Sequence, residues 1–558
     1  MIRDEKIWIA NTESGENISI IPKMANRHGL VAGATGTGKT VTLKVMAESF
    51  SEMGVPVFMA DVKGDIAGMM NPGTNSEDMQ KRIAKFGLAE AGFEYKGYPV
   101  TLWDIYGKNG IPLRTTISEM GPLLLSRILG LNDLQSDILS IIFKIADDSN
   151  LLLIDTKDLK AMLAYVDDHS ADFAADYGKI SSASIGVITR AIVSLETEGA
   201  DLFFGEPALN ISDWLQIGAG GKGMINVLAS DSLIGNGKLY STFLLWMLSE
   251  LFETLPEVGD MSKPKMVFFF DEAHLLFKDT PKALLEKIEQ VVKLIRSKGV
   301  GVYFCTQNPR DIPDGVLAQL SNKVQHGLRA YTPSDQKAVR AAADSFRVNP
   351  DFDTFDTILN LGTGEAVVSF LQEDGVPAIA SKVNILPPQC SMAAATDAQR
   401  EQCIKESLLY SKYATAVDPD SAYEFLQRKG IEDARIAEEQ KQAELEAKEA
   451  KKRAEQEEKE AKKQAEREER EALKKAEQEE KEKQKAKERA EKEALKKEEK
   501  EKKAKQQAMK SVGNSVAGTV GRELGKNLGG KYGKFGKTLG GNVGASLGRG
   551  LLSTLFKK

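Results

Sequence analysis

Three cysteines in 558 residues, Cys305, Cys390 and Cys403, are too few and too irregularly spaced for a disulfide scaffold or a thiolate metal site. That scarcity fits a reducing compartment. Only four histidines occur, scattered along the chain, which argues against a His-based metal centre. No apolar run reaches the ~18 residues of a membrane-spanning helix, and the opening MIRDEKIWIA lacks the apolar segment of a signal peptide. The expectation is a cytoplasmic protein. What is abundant is apolar surface: 42% of the residues are hydrophobic, enough for a large core, so a wholly disordered chain is excluded.

The formal net charge of −6 conceals three different segments. Residues 1–430 carry 41 basic and 55 acidic side chains, residues 431–506 carry 25 of each, and residues 507–558 carry 9 basic against 1 acidic. The acidic first segment reads as α/β. Short β-type runs such as Val55–Ala60, Met266–Phe270 and Val300–Thr306 alternate with helical patterns, as in a mainly parallel sheet covered by helices on both faces. Between residues 118 and 199 the strand signal fades into amphipathic helices, and a helical insertion is expected there. The middle segment, 431–506, has neither glycine nor proline. Its repeated Glu-to-Lys/Arg pairs at i, i+4, such as Glu458–Lys462, and its good helix formers favour one solvated helix over disorder. Its large apolar residues are too sparse for a heptad seam.

The strongest local signal is Gly33-Ala34-Thr35-Gly36-Thr37-Gly38-Lys39-Thr40, between the strand-like HGLVAG and the helical VTLKVMAESF. This is the phosphate-binding G-x-x-x-x-G-K-[ST] loop in its strand–loop–helix context. Glycines let backbone N–H groups curl around phosphate oxygens, and the helix N-terminus adds partial positive charge. Lys39 reaches the β- and γ-phosphates, and the Thr40 hydroxyl is a ligand for Mg²⁺.

Such a loop needs an acidic partner at the end of a buried strand, and KMVFFFDEAH supplies one. Asp271 is the candidate for the metal shell, and Glu272 for the general base on the attacking water. A third strand, Val300–Thr306, ends in Gln307, placed to contact the γ-phosphate or the water. Asp61, closing another strand, is either supporting or a turn residue. Arg296, Arg310 and Arg329 are candidates for a transition-state arginine, and spacing does not choose among them.

Together the phrases MANRHGLVAGATGTGKTVTL, VPVFMADVKGD, FFFDEAHLLF, LIRSKGVGVYFCTQNPRDIPD and NKVQHGLRAYTPSDQKAVRAAA resemble the HerA/FtsK superfamily of P-loop ATPases. The resemblance is nearest to its bacterial HerA-like (YjgR-type) subfamily and covers about residues 1–390. It implies a RecA-like fold of the ASCE class with an insertion between the Walker strands, and hydrolysis of ATP with Mg²⁺. It also implies a ring, with a hexamer favoured, that moves a polymer such as DNA. Residue by residue, it marks Lys39 and Thr40 as Walker A, Asp271 and Glu272 as Walker B, and Gln307 as the polar sensor. Arg296 matches an arginine in the helix before that strand, and Arg329 matches one on a later strand; either would act on a neighbour's ATP. In one respect the sequence departs: the residues before Gly33 are too few for the N-terminal β-barrel of archaeal members.

The expected organisation is two parts of an ATPase core (1–117 and 200–388) around the insertion (118–199). A connecting segment (389–430), the charged helix (431–506) and a basic Gly-rich tail (507–558) follow. In the tail, Gly521, Gly525, Gly529 and Gly533, then Gly536, Gly540, Gly544 and Gly548, recur every four residues, each after an apolar one. On a helix this makes a small-residue stripe beside an apolar one, suited to helix packing or to an anionic membrane surface through 511–558. A disordered tail is the plainer alternative. Two functions are therefore expected to compete: a ring-forming ATPase motor on DNA, and a nucleotide-gated oligomeric scaffold whose tail docks elsewhere.

Overall fold

The computed structural model describes residues 1–230, 237–278 and 282–490. The tail and its glycine stripe lie outside these residues. Two units divide the chain, Met1–Gln427 and Arg428–Lys558.

The first unit is built on one 13-stranded sheet. Its centre is parallel: Asn322–His326, Gly29–Ala32, Val300–Thr306, Met266–Phe270, Val57–Asp61, Ile225–Ala229 and Val100–Asp104, in that spatial order. The strand leading into the phosphate loop is thus separated from the strand leading into Asp271 by the one that ends at Gln307. This is the RecA-like order, in which an extra strand intervenes between the two Walker strands. The strands Glu365–Ser369, Ser381–Ile385 and Lys6–Thr12 continue the sheet in antiparallel sense beyond Asn322–His326.

Both faces of the centre are buried, as a parallel sheet requires, and side chains alternate between two cores. Met266, Phe268 and Phe270 point into one apolar cluster, while Val267 and Phe269 point into the other. The first cluster includes residues of the helices Ile117–Leu129, Asp133–Asp148, Thr156–Asp168 and Ser182–Thr197, in the region read as an insertion. These helices share one continuous core with the sheet, through Trp103, Phe58 and Phe268 among others. The second cluster takes the helix Lys39–Glu52, which carries Leu43, Met46, Ala47 and Phe50.

Of the segment 389–430, read from sequence as a connector, residues 389–427 are woven into the first unit. The Cys390 N–H and the Gln389 N–H donate to the Glu48 carboxylate at 3.0–3.3 Å. Lys44, buried on the same helix, donates to the Ser391 carbonyl at 2.9 Å. The Arg114 guanidinium donates to the Tyr413 carbonyl at 2.8 Å.

The described part of the second unit lies in one helix, Ala422–Ala490, whose first residues belong to the first unit. Gly430 lies inside this helix. Lys462 and Glu458 pair at 2.8 Å, an exposed i, i+4 bridge of the kind worth about 0.3–0.5 kcal/mol. The last part of the expected helix, 491–506, lies outside the described residues.

Candidate active site

Along one edge of the sheet, parallel strands deliver their carboxyl ends together, the usual position of ligand sites in open α/β sheets. Ala32 is in register with Thr306, and Phe304 with Phe270. The phosphate loop, Gln307 and Asp271 therefore leave adjacent strands at one edge. At ~4.8 Å between strands, the loop strand and the Asp271 strand are about 10 Å apart.

The loop's backbone needs its glycines. Gly36 and Gly38 have φ of +78° and +112°, and Gly38 is the N-cap of the helix Lys39–Glu52. At Gly33 a Cβ would lie 2.5 Å from Cβ of His326, so no side chain fits there. Three neighbours fix the loop from outside. Gly33 N–H donates to the Thr306 carbonyl (3.2 Å), Ala34 N–H to the Gly327 carbonyl (2.9 Å), and Gly364 N–H to the Thr37 carbonyl (3.0 Å). The Lys39 ammonium lies across the loop, donating to the carbonyls of Gly33 (2.6 Å) and Ala34 (3.1 Å). Thr37 closes the turn by donating to the Ala34 carbonyl at 2.7 Å. Thr35 and Gly36 are exposed, and Thr40 is half-buried in the first helical turn.

His326, which no sequence motif singles out, supports this loop from beneath. Its Nδ1 donates to the Glu365 carbonyl at 2.9 Å, which leaves Nε2 to accept from the Thr42 hydroxyl at 2.9 Å. Burial lowers its pKa to about 4, so the ring is neutral at pH 7 and the tautomer follows from its partners.

Asp271 follows the strand Met266–Phe270, and Glu272 follows it with φ of +49°. That conformation costs a non-glycine residue about 1–3 kcal/mol and recurs at functional sites. Here it turns the Glu272 side chain toward Gln307, whose Nε2 donates to both carboxylate oxygens at 3.3 and 3.4 Å. Thr35 in turn donates to Oε1 of Gln307 at 3.5 Å, linking the loop to the carboxylate. His274 Nδ1 lies 3.3 Å from Oε2 of Glu272. Burial first, and the neighbouring Glu272 charge second, raise the pKa of Asp271. Two adjacent carboxylates, one of them desolvated, favour a bound cation, and hard oxygen donors from Asp271 and Thr40 suit Mg²⁺. The donor set fits the ion the sequence implies.

The remaining candidates fall elsewhere. Asp61 is committed to its own turn, accepting from Gly64 N–H (2.7 Å) and Ala67 N–H (3.0 Å). Arg296 opens a short turn before the amino end of Val300–Thr306, the opposite end of that strand from Gln307. A seven-residue strand puts it about 20 Å from the loop edge of its own chain. Arg329, read as a strand residue, lies three residues beyond the strand Asn322–His326 and is exposed. The strand stops because its partner Glu365–Ser369 begins opposite it: Ala366 pairs with His326. Arg310 is exposed in the turn Pro309–Asp311.

A family described as helicase HerA-like C-terminal matches residues 6–537. A protein of Sulfurisphaera tokodaii named DNA double-strand break repair helicase HerA is 24% identical over 354 residues, 61% of this chain and 62% of that protein. A protein of the same name from Sulfolobus acidocaldarius is 24% identical over 367 residues, 63% of this chain and 65% of that protein. The chain thus spans less than two thirds of the length of the curated relatives it matches. Among solved structures, the bacterial conjugative coupling protein TrwBdeltaN70 is 16% identical, covering 69% of this chain and 92% of that chain with a TM-score of 0.46. The match over most of the sequence places this chain in the helicase HerA-like C-terminal family.

Proposed function

We propose that this chain is a Mg²⁺-dependent ATP hydrolase that assembles into a homo-oligomeric ring, with a hexamer favoured, and drives movement of DNA. One observation carries the catalytic part. A single sheet edge gathers a phosphate loop, a carboxylate pair and a polar strand-end residue, and Gln307 bonds to both Thr35 and Glu272. Amides of Gly33–Thr40 and the Lys39 ammonium hold the β- and γ-phosphates. Thr40 and Asp271 would hold Mg²⁺, which would supply positive charge against the phosphate oxygens when bound. Glu272 accepts a proton from the attacking water as its oxygen bonds to the γ-phosphorus. The bond to the β–γ bridging oxygen breaks and ADP leaves with its electron pair. Gln307 keeps the Glu272 carboxylate in place and meets the γ-phosphate through the same amide. Arg296 and Arg329 are assigned to a neighbouring subunit's nucleotide, since neither touches the loop of its own chain among the described residues.

The named HerA relatives are called DNA repair helicases, and that supports a DNA substrate. A second reading, a nucleotide-gated scaffold, is favoured by the charge of the body: 55 acidic against 41 basic residues over 1–430 suits a phosphate backbone poorly. In that reading the basic 511–558 segment binds a helix partner or an anionic membrane. Among the described residues no helix is long and apolar enough to cross a membrane, which is compatible with the proposed cytoplasmic location. ATP hydrolysis by the purified oligomer, measured against double-stranded DNA, single-stranded DNA, RNA and anionic vesicles, separates the two. A motor turns over severalfold faster with its polymer. Slow hydrolysis indifferent to every polymer rejects the motor.

A further inference from the structure

The chemistry named so far lies on one flank of the phosphate loop, toward Gln307 and Asp271. The opposite flank is formed by the turn Gly362–Gly364, at the start of the strand Glu365–Ser369. Gly364 bonds to Thr37 through its N–H, and a Cβ on Gly38 would lie 3.3 Å from Cα and N of Gly364, so the two backbones are in close contact. Over Gly364 lies Arg82, from the helix Glu77–Lys85. A Cβ on Gly364 would be 3.1 Å from both Nη1 and Nη2 of Arg82 and 3.5 Å from its Cζ, so the forked end of the guanidinium rests against the glycine. Gly364 has φ of +81°, which favours glycine independently. Arg82 is half-buried, and among the described residues its guanidinium has no carboxylate or carbonyl partner.

A half-buried guanidinium without a partner is costly unless something planar or anionic meets it. A nucleotide placed with its γ-phosphate at Gln307 and Glu272 must extend its other end across the loop, away from those residues. That end carries the ribose and base and falls on the Gly364 flank. The flat guanidinium is suited to pack on a base, an interaction worth more where both faces leave water.

We infer that Arg82, seated on Gly364, is a binding residue for the nucleoside end of the nucleotide. The inference rests on the ATPase reading above but names a subsite that the Walker residues do not. The test uses the full chain and three ligands, ATP, ADP and inorganic tripolyphosphate, with Arg82→Ala and Arg82→Met, the latter keeping the apolar stem. Both variants should bind ADP and ATP about tenfold more weakly while binding tripolyphosphate as the wild type does. The KM for ATP should rise by the same factor with kcat retained. Unchanged ADP affinity in a folded Arg82→Met overturns the inference. Equal weakening toward ADP and tripolyphosphate also overturns it, because that marks a phosphate contact. Failure of the wild-type chain to bind ATP at all would instead remove the reading on which it rests.

Discussion

Lys39 bridges two loop carbonyls and carries the only full positive charge within the phosphate loop itself. Lys39→Ala should weaken ATP binding by roughly 100-fold, as loss of a charge-assisted contact implies, and calorimetric titration reads it directly. His326 and His28 make a different prediction. Burial lowers both to a pKa of about 4, whereas an unfolded histidine titrates near 6.5. Between those values the unfolded chain binds more protons, so stability is complete above about pH 6.5 and is lost as pH falls toward 4. Each site contributes about 3 kcal/mol over that window, and His326→Gln should flatten the fall in urea midpoint. A wild-type-like slope in that variant would remove the assignment. The loop, Asp271, Glu272 and Gln307 were legible in sequence because each sits at the end of an apolar run with its chemistry adjacent. His326 was not: its partner Thr42 is 284 residues away, and a neutral buried imidazole leaves no mark in composition.

At the scale of elements, the apolar strands were readable and the polar ones were not. Asn322–His326 reads NKVQH, yet it is central, pairing directly with the loop strand. Its polar groups are satisfied by tertiary partners: Asn322 Nδ2 donates to the Met24 and His28 carbonyls, both at 3.1 Å. Such bonds do not exist in a sequence window, so β-pattern alone missed the strand. The segment after Ile385 was hidden for the same reason. Glu48, buried inside the helix behind the loop, takes its hydrogen bonds from the Gln389 and Cys390 N–H groups, and Lys44 beside it shares its ammonium between the Ser391 and Asp65 carbonyls. Removing those partners leaves the buried Glu48 carboxyl without its hydrogen bonds and Lys44 with a single carbonyl, a loss of about 1–3 kcal/mol for a buried polar group left unsatisfied. A protein ending at residue 427 should therefore melt within a few degrees of the full chain. One ending at 388 should be strongly destabilised or fail to fold, as circular dichroism melting would register. Equal stability of the two truncations would contradict this role for residues 389–391.

For the whole molecule, net charge describes none of the parts. An acidic body, a charge-balanced stretch and a basic end are joined in one chain, and any large anion is favoured by the last of these. The body's sheet, for its part, brings segments far apart in sequence to one edge: residues 33–40, 271–272, 307 and 364 meet there although up to 331 positions separate them. The proposed hydrolysis of ATP at this edge uses Glu272 as base. Steady-state hydrolysis with Mg²⁺, run on the wild type beside Glu272→Gln at matched ATP occupancy, tests it most directly. ATP affinity should be unchanged and turnover lower by about 100-fold or more in the variant. Wild-type turnover in Glu272→Gln would contradict it.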